Sequence, residues 1–533
     1  MRSIIHLAVS GATVLAVLIA CVESNADSTP GFNNVIPNQI LTPDKVKTRI
    51  GDLKFFDGVP DKATVDKVYD NLDFIRGVDV FLNFIPATSI EGMRLGHLEL
   101  GATAPNDVLI FNNLMDSNAL FLTGNTDTVY ASAMLDLERD GATVIEIPEG
   151  AGPGTVNDAF FRFVVDMGAP GPDRKKGGTY IILPPDYDGD LKPTRNGMQD
   201  RDKDTRAIVM VGGESKKVWI AQSPSYTNWM ILRGFLVDGK PDAATEMWES
   251  GLRLYPLSQA GSPPKMDFLR VSGREFNTIH ANTFEFYEEL ATVLQKEPLN
   301  FIDPELRGQA AAIGIAKGRP FRPDARMHEI LEDAVAVGNA TARAIMFYPR
   351  DSRAYLFENS QWTTFFVGGD HRWLDGNGIG GRNLDARTLF FYQATVNTPA
   401  MALQIPGVGA NYAGLSKDKN GDILYGDRNY KINIPANVPA KDFWSIVLYD
   451  PQTRSELQTS QPFPSINNKI AKLNYNENGS VDLYFGPDAP AGMEAHWIET
   501  APGKAWFLVL RLYGPLEPWF EKSWQPGELE LVE

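Results

Sequence analysis

A single cysteine, Cys21, in a chain of 533 residues leaves no disulfide to hold the fold. Stability must therefore come from apolar surface buried in a core, and a zinc site built from several thiolates is excluded as well. A chain of this length exceeds one core, so two or three domains are expected. The 43% hydrophobic and 22% charged content is ordinary for globular protein. Aromatic residues at 11%, together with 47 Gly and 36 Pro, favour β-sandwich or barrel architecture with many turns over helical bundles. The net charge of −17 disfavours nucleic acid and anionic lipid surfaces as partners.

The position of Cys21 carries further information. Arg2 opens the chain, an apolar stretch runs from Ile4 to Ala20, and small and polar residues follow. This is the layout of a bacterial export signal, too short and too terminal for a stable membrane span. No later apolar run reaches the length of a membrane helix. The run Leu18-Ile19-Ala20-Cys21 resembles the lipobox of bacterial lipoproteins, which implies lipidation at Cys21. The alternative is a secretory signal cut after Ala26, because Ser24-Asn25-Ala26 is also a small-x-small site. The expected location is the cell envelope: lipid-anchored by the first route, periplasmic or secreted by the second. Membrane contact is expected only through the lipid at Cys21.

Beyond this leader (1–21), residues 22–50 read as a polar tether. Thr64 is placed to cap a helix running through Val65, Leu72, Ile75, Val80 and Phe81, with Pro86 ending it. Short β-like runs bounded by turns follow, among them Val129–Leu135, Ala159–Val165, Tyr180–Leu183 and Lys217–Ala221, so residues 51–235 are expected to hold helices and a β-sandwich. Residues 236–350 read as helical, with segments Ala243–Leu252, Ser272–Gln295 and Asp324–Phe347, and Asp324 as an N-cap. Residues 351–533 return to β signals, with strands expected at Leu389–Ala394, Tyr430–Ile434, Phe443–Tyr449, Val481–Phe485 and Ala505–Leu512. A jelly roll is the expected form. The fold class is mainly β with α insertions.

The stretch Gly124-Asn125-Thr126-Asp127-Thr128-Val129-Tyr130, with Asn157-Asp158, Gly171-Pro172-Asp173, Gly177-Gly178 and Leu183-Pro184-Pro185, resembles the domain-of-unknown-function family 1254. The runs Phe443 to Asp450, Thr453-Arg454-Ser455 and Arg511 to Pro515 resemble its usual partner, family 1214. The helical linker of long members is similar to His280-Ala281-Asn282 and Ile313-Gly314-Ile315 with Lys317-Gly318. The resemblance implies an exported bacterial protein with an N-terminal immunoglobulin-like sandwich, a helical middle segment and a C-terminal jelly roll. It implies no established biochemistry. One departure is His496, which stands before Trp497 where the resemblance leads us to expect Asn.

Five hydrogen-bonding side chains cluster at Asn125, Thr126, Asp127, Thr128 and Tyr130 beside Gly124. A buried Asp127 suits a general base or an orienting acceptor, with Asn125, Thr126 and Tyr130 binding ligand. The same residue types also make turn networks that bond back to local backbone. Arg162 and Asp166 either complete such a site or form a surface or interdomain ion pair. His280, with Asn282 nearby, is the side chain suited to proton transfer near neutral pH, or else a satisfied core histidine. Arg454 is the candidate cation for a carboxylate mechanism.

Asp418-Lys419-Asn420-Gly421-Asp422 is a partial match to a calcium loop, with Asp418, Asn420 and Asp422 as alternating oxygen ligands. Its glycine is misplaced and Asn429 stands where the twelfth-position Glu belongs, so a solvated hairpin turn accounts for it better. No other cofactor is expected. His97, His328 and His371 have no neighbours at metal spacing. Gly376 to Gly381 lacks the strand and helix of a dinucleotide fingerprint. Trp497, Trp506, Tyr513, Trp519 and Trp524 either stack on sugars or fill a core. No nucleophile elbow is present.

Two functions remain. One is an envelope protein that binds a small molecule, saccharide or protein partner in a cleft between β domains. The other is an envelope hydrolase or isomerase using Asp127 or Asp166 with Arg454 or His280. Homo-oligomerisation is compatible with aromatic β domains.

Overall fold

The computed structural model describes residues 36–200 and 202–532. The export signal, Cys21 and the alternative cleavage position at Ala26 lie outside the described residues, as does the tether up to residue 35. The chain divides into two compact units, one ending at Leu72 and the other running from Asp73. In the first, Lys45–Thr48, Gly51–Phe56 and Val59–Pro60 form an antiparallel sheet. Lys45–Thr48 thus gives regular structure to a stretch read as tether. Asp61, rather than Thr64, caps the following helix by accepting from the Thr64 N–H at 2.7 Å, while the Thr64 hydroxyl accepts from Lys54 N–H.

That helix runs from Lys62 to Glu99 and passes through Pro86. An interior proline costs about 3 kcal/mol by removing a donor and crowding the preceding turn. Residues from Val80 to Met93 are buried almost without interruption, and this packing outweighs the local penalty. Thr88 turns its hydroxyl to the Phe84 and Ile85 carbonyls beside the break. Gly92 and Gly96 face residues 277–278, and a Cβ at either position would lie about 2.5 Å or 2.6 Å from a carbonyl oxygen there.

The second unit contains two β-sandwiches. The first packs a five-stranded sheet against a six-stranded sheet, whose central strands are Thr128–Asp136, Thr227–Phe235 and Pro153–Asp158. Arg253–Pro256 and Asp267–Arg270 join these two sheets from the stretch read as helical. The second sandwich packs the sheet containing Ala410–Leu415, Ala505–Pro515 and Ala440–Tyr449 against a four-stranded sheet through Asn429–Ile434 and Val481–Gly486. The fold is therefore mainly β with a helical middle region, in open sandwich-like sheets. The expected strands Phe443–Tyr449 and Ala505–Leu512 are present.

The central strands are buried on both faces. Val129, Ala131, Met230 and Leu232 fill the core of the first sandwich, and Trp444, Ile446, Leu508 and Leu510 that of the second. Their alternate neighbours Tyr130, Trp229, Ile231, Val447, Tyr449, Val509 and Tyr513 enter a third core between the sandwiches. Period-two alternation thus serves two different cores on one strand. Helical segments complete the middle core. Ala325–Phe347 begins where Asp324 accepts from Met327 N–H, as its sequence predicts. The region Ser272–Gln295 is helical only over Glu285–Lys296. Leu389–Ala394, expected as a strand, lies in the helix Leu384–Gln393, capped by Asn383. A run buried on every side carries no periodicity to separate the two forms.

Candidate functional site

Two rows of cross-strand neighbours meet in the middle core. In the first sandwich Arg233 pairs with Tyr130 across adjacent strands. In the second, Tyr412, Arg511 and Ser445 lie in one row over three strands. Residues 394–402 wall the space between the rows. Asn157 fixes this segment with two hydrogen bonds to the Asn397 backbone, and Thr398 donates to Asp166 at 2.9 Å. Val396 there adopts φ 67°, a conformation that β-branched residues avoid.

The Asn125–Tyr130 segment does both things its composition allows. Asn125 Oδ1 accepts from the N–H groups of Asp127 and Thr128 and from the Thr128 hydroxyl, and its amide donates to the Tyr130 hydroxyl. That is the turn network. Thr126 and Asp127 reach instead across to the second sandwich. Thr126 bonds the Ser465 hydroxyl at 2.6 Å. Asp127, 1% exposed, accepts from Ser445, from Tyr513 at 3.2 Å and from the Asn467 amide at 2.8 Å. Burial pushes its carboxyl above the ordinary range, and these donors with the nearby Arg511 partly offset the rise. Burial and the neighbouring Asp127 likewise hold the Tyr513 hydroxyl well above its usual value.

An open cleft of about 420 Å³ leads to Asp127, lined from the first sandwich side by Phe235, Leu236 and Asp238 and from the second by Asp442, Asn467 and Lys469. In the seam, a small space of about 30 Å³ is lined by Tyr130, Arg233, Tyr412 and Arg511 with Phe121, Phe390 and Met401. A further lobe of about 20 Å³ shares Ile231, Arg233, Val396 and Met401, and Asp166 stands on its wall.

The remaining candidates are elsewhere. Arg162 is held by Asp158, whose buried carboxyl also accepts from the Phe160 and Arg162 N–H groups. His280 and Arg454 are neighbours within the middle core, and Arg454 donates to the Tyr392 and Gln452 carbonyls. Burial, with Arg454 nearby, lowers the His280 imidazole to about 4, which keeps it neutral. Asn282 lies beside it in sequence and has a buried carbonyl oxygen with no partner among the described residues. Trp497 is on the outer sheet of the second sandwich and donates to the Gly486 carbonyl. His496 bridges two segments there, donating to Asp482 O and accepting from Asn474 N–H. Trp506, Trp519 and Trp524 are core.

Asp418 bonds the N–H groups of Asn420 and Asp422 within its own loop. Among the described residues no group of three His, Cys, Asp or Glu is placed to hold a metal ion. No described helix is long and apolar enough to cross a membrane. Sequence reasoning missed Arg233, Arg511 and Tyr412. Both arginines sit inside otherwise apolar strands, Leu232-Arg233-Gly234 and Leu510-Arg511-Leu512. A cation in such a strand is costly to bury without a purpose, and that was the available signal.

The VPA0106 protein from Vibrio parahaemolyticus has the same overall fold, with a TM-score of 0.51 at 14% identity over 86% of this chain and 100% of its own. A putative uncharacterized protein from Burkholderia cenocepacia aligns with a TM-score of 0.36 at 12% identity, over 87% of this chain and 96% of its own. None of the curated proteins matches. Residues 105–256 match the family model of DUF1254, and residues 409–517 that of DUF1214, both proteins of unknown function. The chain thus carries a DUF1254 region followed by a DUF1214 region, and the seam that holds Asp127 and Arg511 is built from both.

Proposed function

We propose that this protein binds a small molecule in the seam between its two β-sandwiches. The observation that carries this reading is the open cleft at Asp127, whose walls come from both sandwiches and whose floor is a buried carboxyl. Its volume lies within the range of small-molecule sites, and Asp127, Asp238, Asp442, Asn467 and Lys469 give it a polar lining beside Phe235, Leu236 and Phe443. The leader sequence supports a place outside the cytoplasm, in the cell envelope.

The test uses the full chain. Native mass spectrometry reads any co-purified small molecule, and a panel of sugars, amines, amides and acids is screened by thermal shift. A binder raises Tm by an amount that grows with the logarithm of its concentration over Kd. Filling the mouth by Asp442→Trp is expected to abolish the shift. No retained mass, and no compound that raises Tm, would sink the reading.

A second reading, acid–base catalysis, is favoured by one observation. The Asp127 carboxyl and the Tyr513 hydroxyl share a hydrogen bond in a buried setting that biases both toward their protonated forms. Turnover of a bound compound that Asp127→Asn eliminates, with binding retained, would decide for it.

A further inference from the structure

Arg233 is 7% exposed, and its guanidinium makes no hydrogen bond or ion pair among the described residues. It lines both lobes of the small space, with its Cζ 5.7 Å from the Tyr130 ring centroid. Arg511 lines the same space from the opposite sandwich. One of its terminal nitrogens donates to the Thr123 and Gly124 carbonyls and the Tyr449 hydroxyl, while its Nε meets no acceptor. Tyr412 also lines the space, with its ring centroid 5.2 Å from Arg511 Cζ, and its hydroxyl makes no hydrogen bond among the described residues.

A guanidinium stays charged in any protein setting and carries five donors. Burying one without an acceptor is among the most expensive arrangements a fold can contain. Here Arg233 has no acceptor and Arg511 is satisfied at one terminal nitrogen but not at Nε, while the Glu456 carboxyl near Arg511 is held toward its neutral form by burial. Asp127 is engaged by Ser445, Asn467 and Tyr513, and Asp166 accepts from Thr398. The missing partner is an anion.

We propose that Arg233 and Arg511, with the Tyr412 hydroxyl, form a site for the carboxylate of a small organic acid. This rests on the seam being a ligand site and names the chemistry of what enters it. Planar guanidinium forks match a carboxylate. The space has room for about two water molecules or one such group. Its other walls, Phe121, Phe365, Phe390 and Met401, suit a short apolar tail. Asp166 on the wall of the second lobe disfavours a dianion such as phosphate. The strained Val396 backbone lies where the two lobes meet, as strained residues tend to at ligand sites.

The experiment is calorimetric titration of the full chain with butyrate and benzoate, with the isosteric butyramide and benzamide, and with inorganic phosphate. The acids are expected to bind on the order of ten- to a hundredfold more tightly than the amides, the loss associated with charge-assisted hydrogen bonds. Arg233→Met is expected to remove that preference. Because the Arg233 guanidinium makes no hydrogen bond or ion pair among the described residues and contacts the Tyr130 ring face, this variant should fold with little loss of Tm; if it does not, Arg233→Lys serves instead and should weaken acid binding. Acids bound no better than amides, retained preference in the variant, phosphate bound more tightly than either acid, or no acid bound would each overturn the carboxylate site. Binding of amides alone overturns the anion site and leaves the seam as a ligand site. Failure of every compound, in this titration and in the thermal-shift panel, overturns both.

Discussion

Asp127 and Ser445 are 318 residues apart in sequence and share a buried hydrogen bond that joins the two sandwiches. A buried carboxyl oxygen that loses a donor incurs a desolvation penalty of about 1–3 kcal/mol. Ser445→Ala is therefore expected to destabilise the protein by about that amount in urea denaturation. In an Asp127→Ala background the same substitution should cost about 1 kcal/mol less, because its partner is already gone. Additive effects would show that the two residues do not cooperate.

Gly92 sits within the long helix where alanine ordinarily gains up to about 1 kcal/mol over glycine. Here the sign is expected to reverse. A Cβ at Gly92 would lie about 2.5 Å from the Thr278 carbonyl oxygen, so the helix must move away from the segment leading to His280. Gly92→Ala should destabilise the protein by about 1–3 kcal/mol. An unchanged or raised Tm would contradict that packing.

Much of the fold is legible where one physical signal dominates. Asp324 before an apolar stripe marks a helix start, and the strands Phe443–Tyr449 and Ala505–Leu512 stand out as apolar β-rich runs. Pro86 and Leu389–Ala394 mislead because their states are set by burial on every side, and local propensity contributes little. The candidate site divides in the same way. Asn125, Asp127 and Tyr130 are visible as a polar cluster within one segment. Arg233 and Arg511 acquire meaning only when two strands far apart in sequence are brought face to face, which no local pattern encodes. His280 and Arg454 both pack near the Tyr392 ring, in the middle core, and neither lines the cleft at Asp127.

His97 provides a pH-dependent contribution. Its Nδ1 donates to Met93 O at 2.7 Å, so Nε2 accepts from the Ser132 hydroxyl, which also accepts from Trp229 Nε1–H. Burial lowers the imidazole to about 4, partly offset by the hydrogen bond that Nδ1–H donates to the Met93 carbonyl. The folded value lies below the unfolded value near 6.5, so the unfolded chain binds the extra proton between them. The stability this provides is present above pH 6.5 and is lost as pH falls toward 4. His97→Gln is expected to lower stability at pH 7 and flatten the fall in urea midpoint between pH 6.5 and 4. An unaltered slope would place the acid sensitivity elsewhere.

Glu456 carries the opposite sign. Both carboxyl oxygens are buried without a hydrogen-bond partner among the described residues. Burial pushes the carboxyl well above its ordinary 4.5; Arg511 opposes the rise, and Asp116 and Asp127 add to it. The folded protein therefore holds a proton that the unfolded chain releases near pH 4.5. The stabilisation is complete below that pH and is lost as pH rises toward the folded value. Glu456→Gln keeps the neutral shape without the titration, so the two proteins should unfold at similar temperatures at pH 4. As pH is raised to 9 the wild-type Tm should drop relative to that of the variant. Parallel curves over this range would mean that Glu456 is ionised in the folded protein and that Arg511 offsets its charge, which would also weaken the case for Arg511 as a free anion ligand.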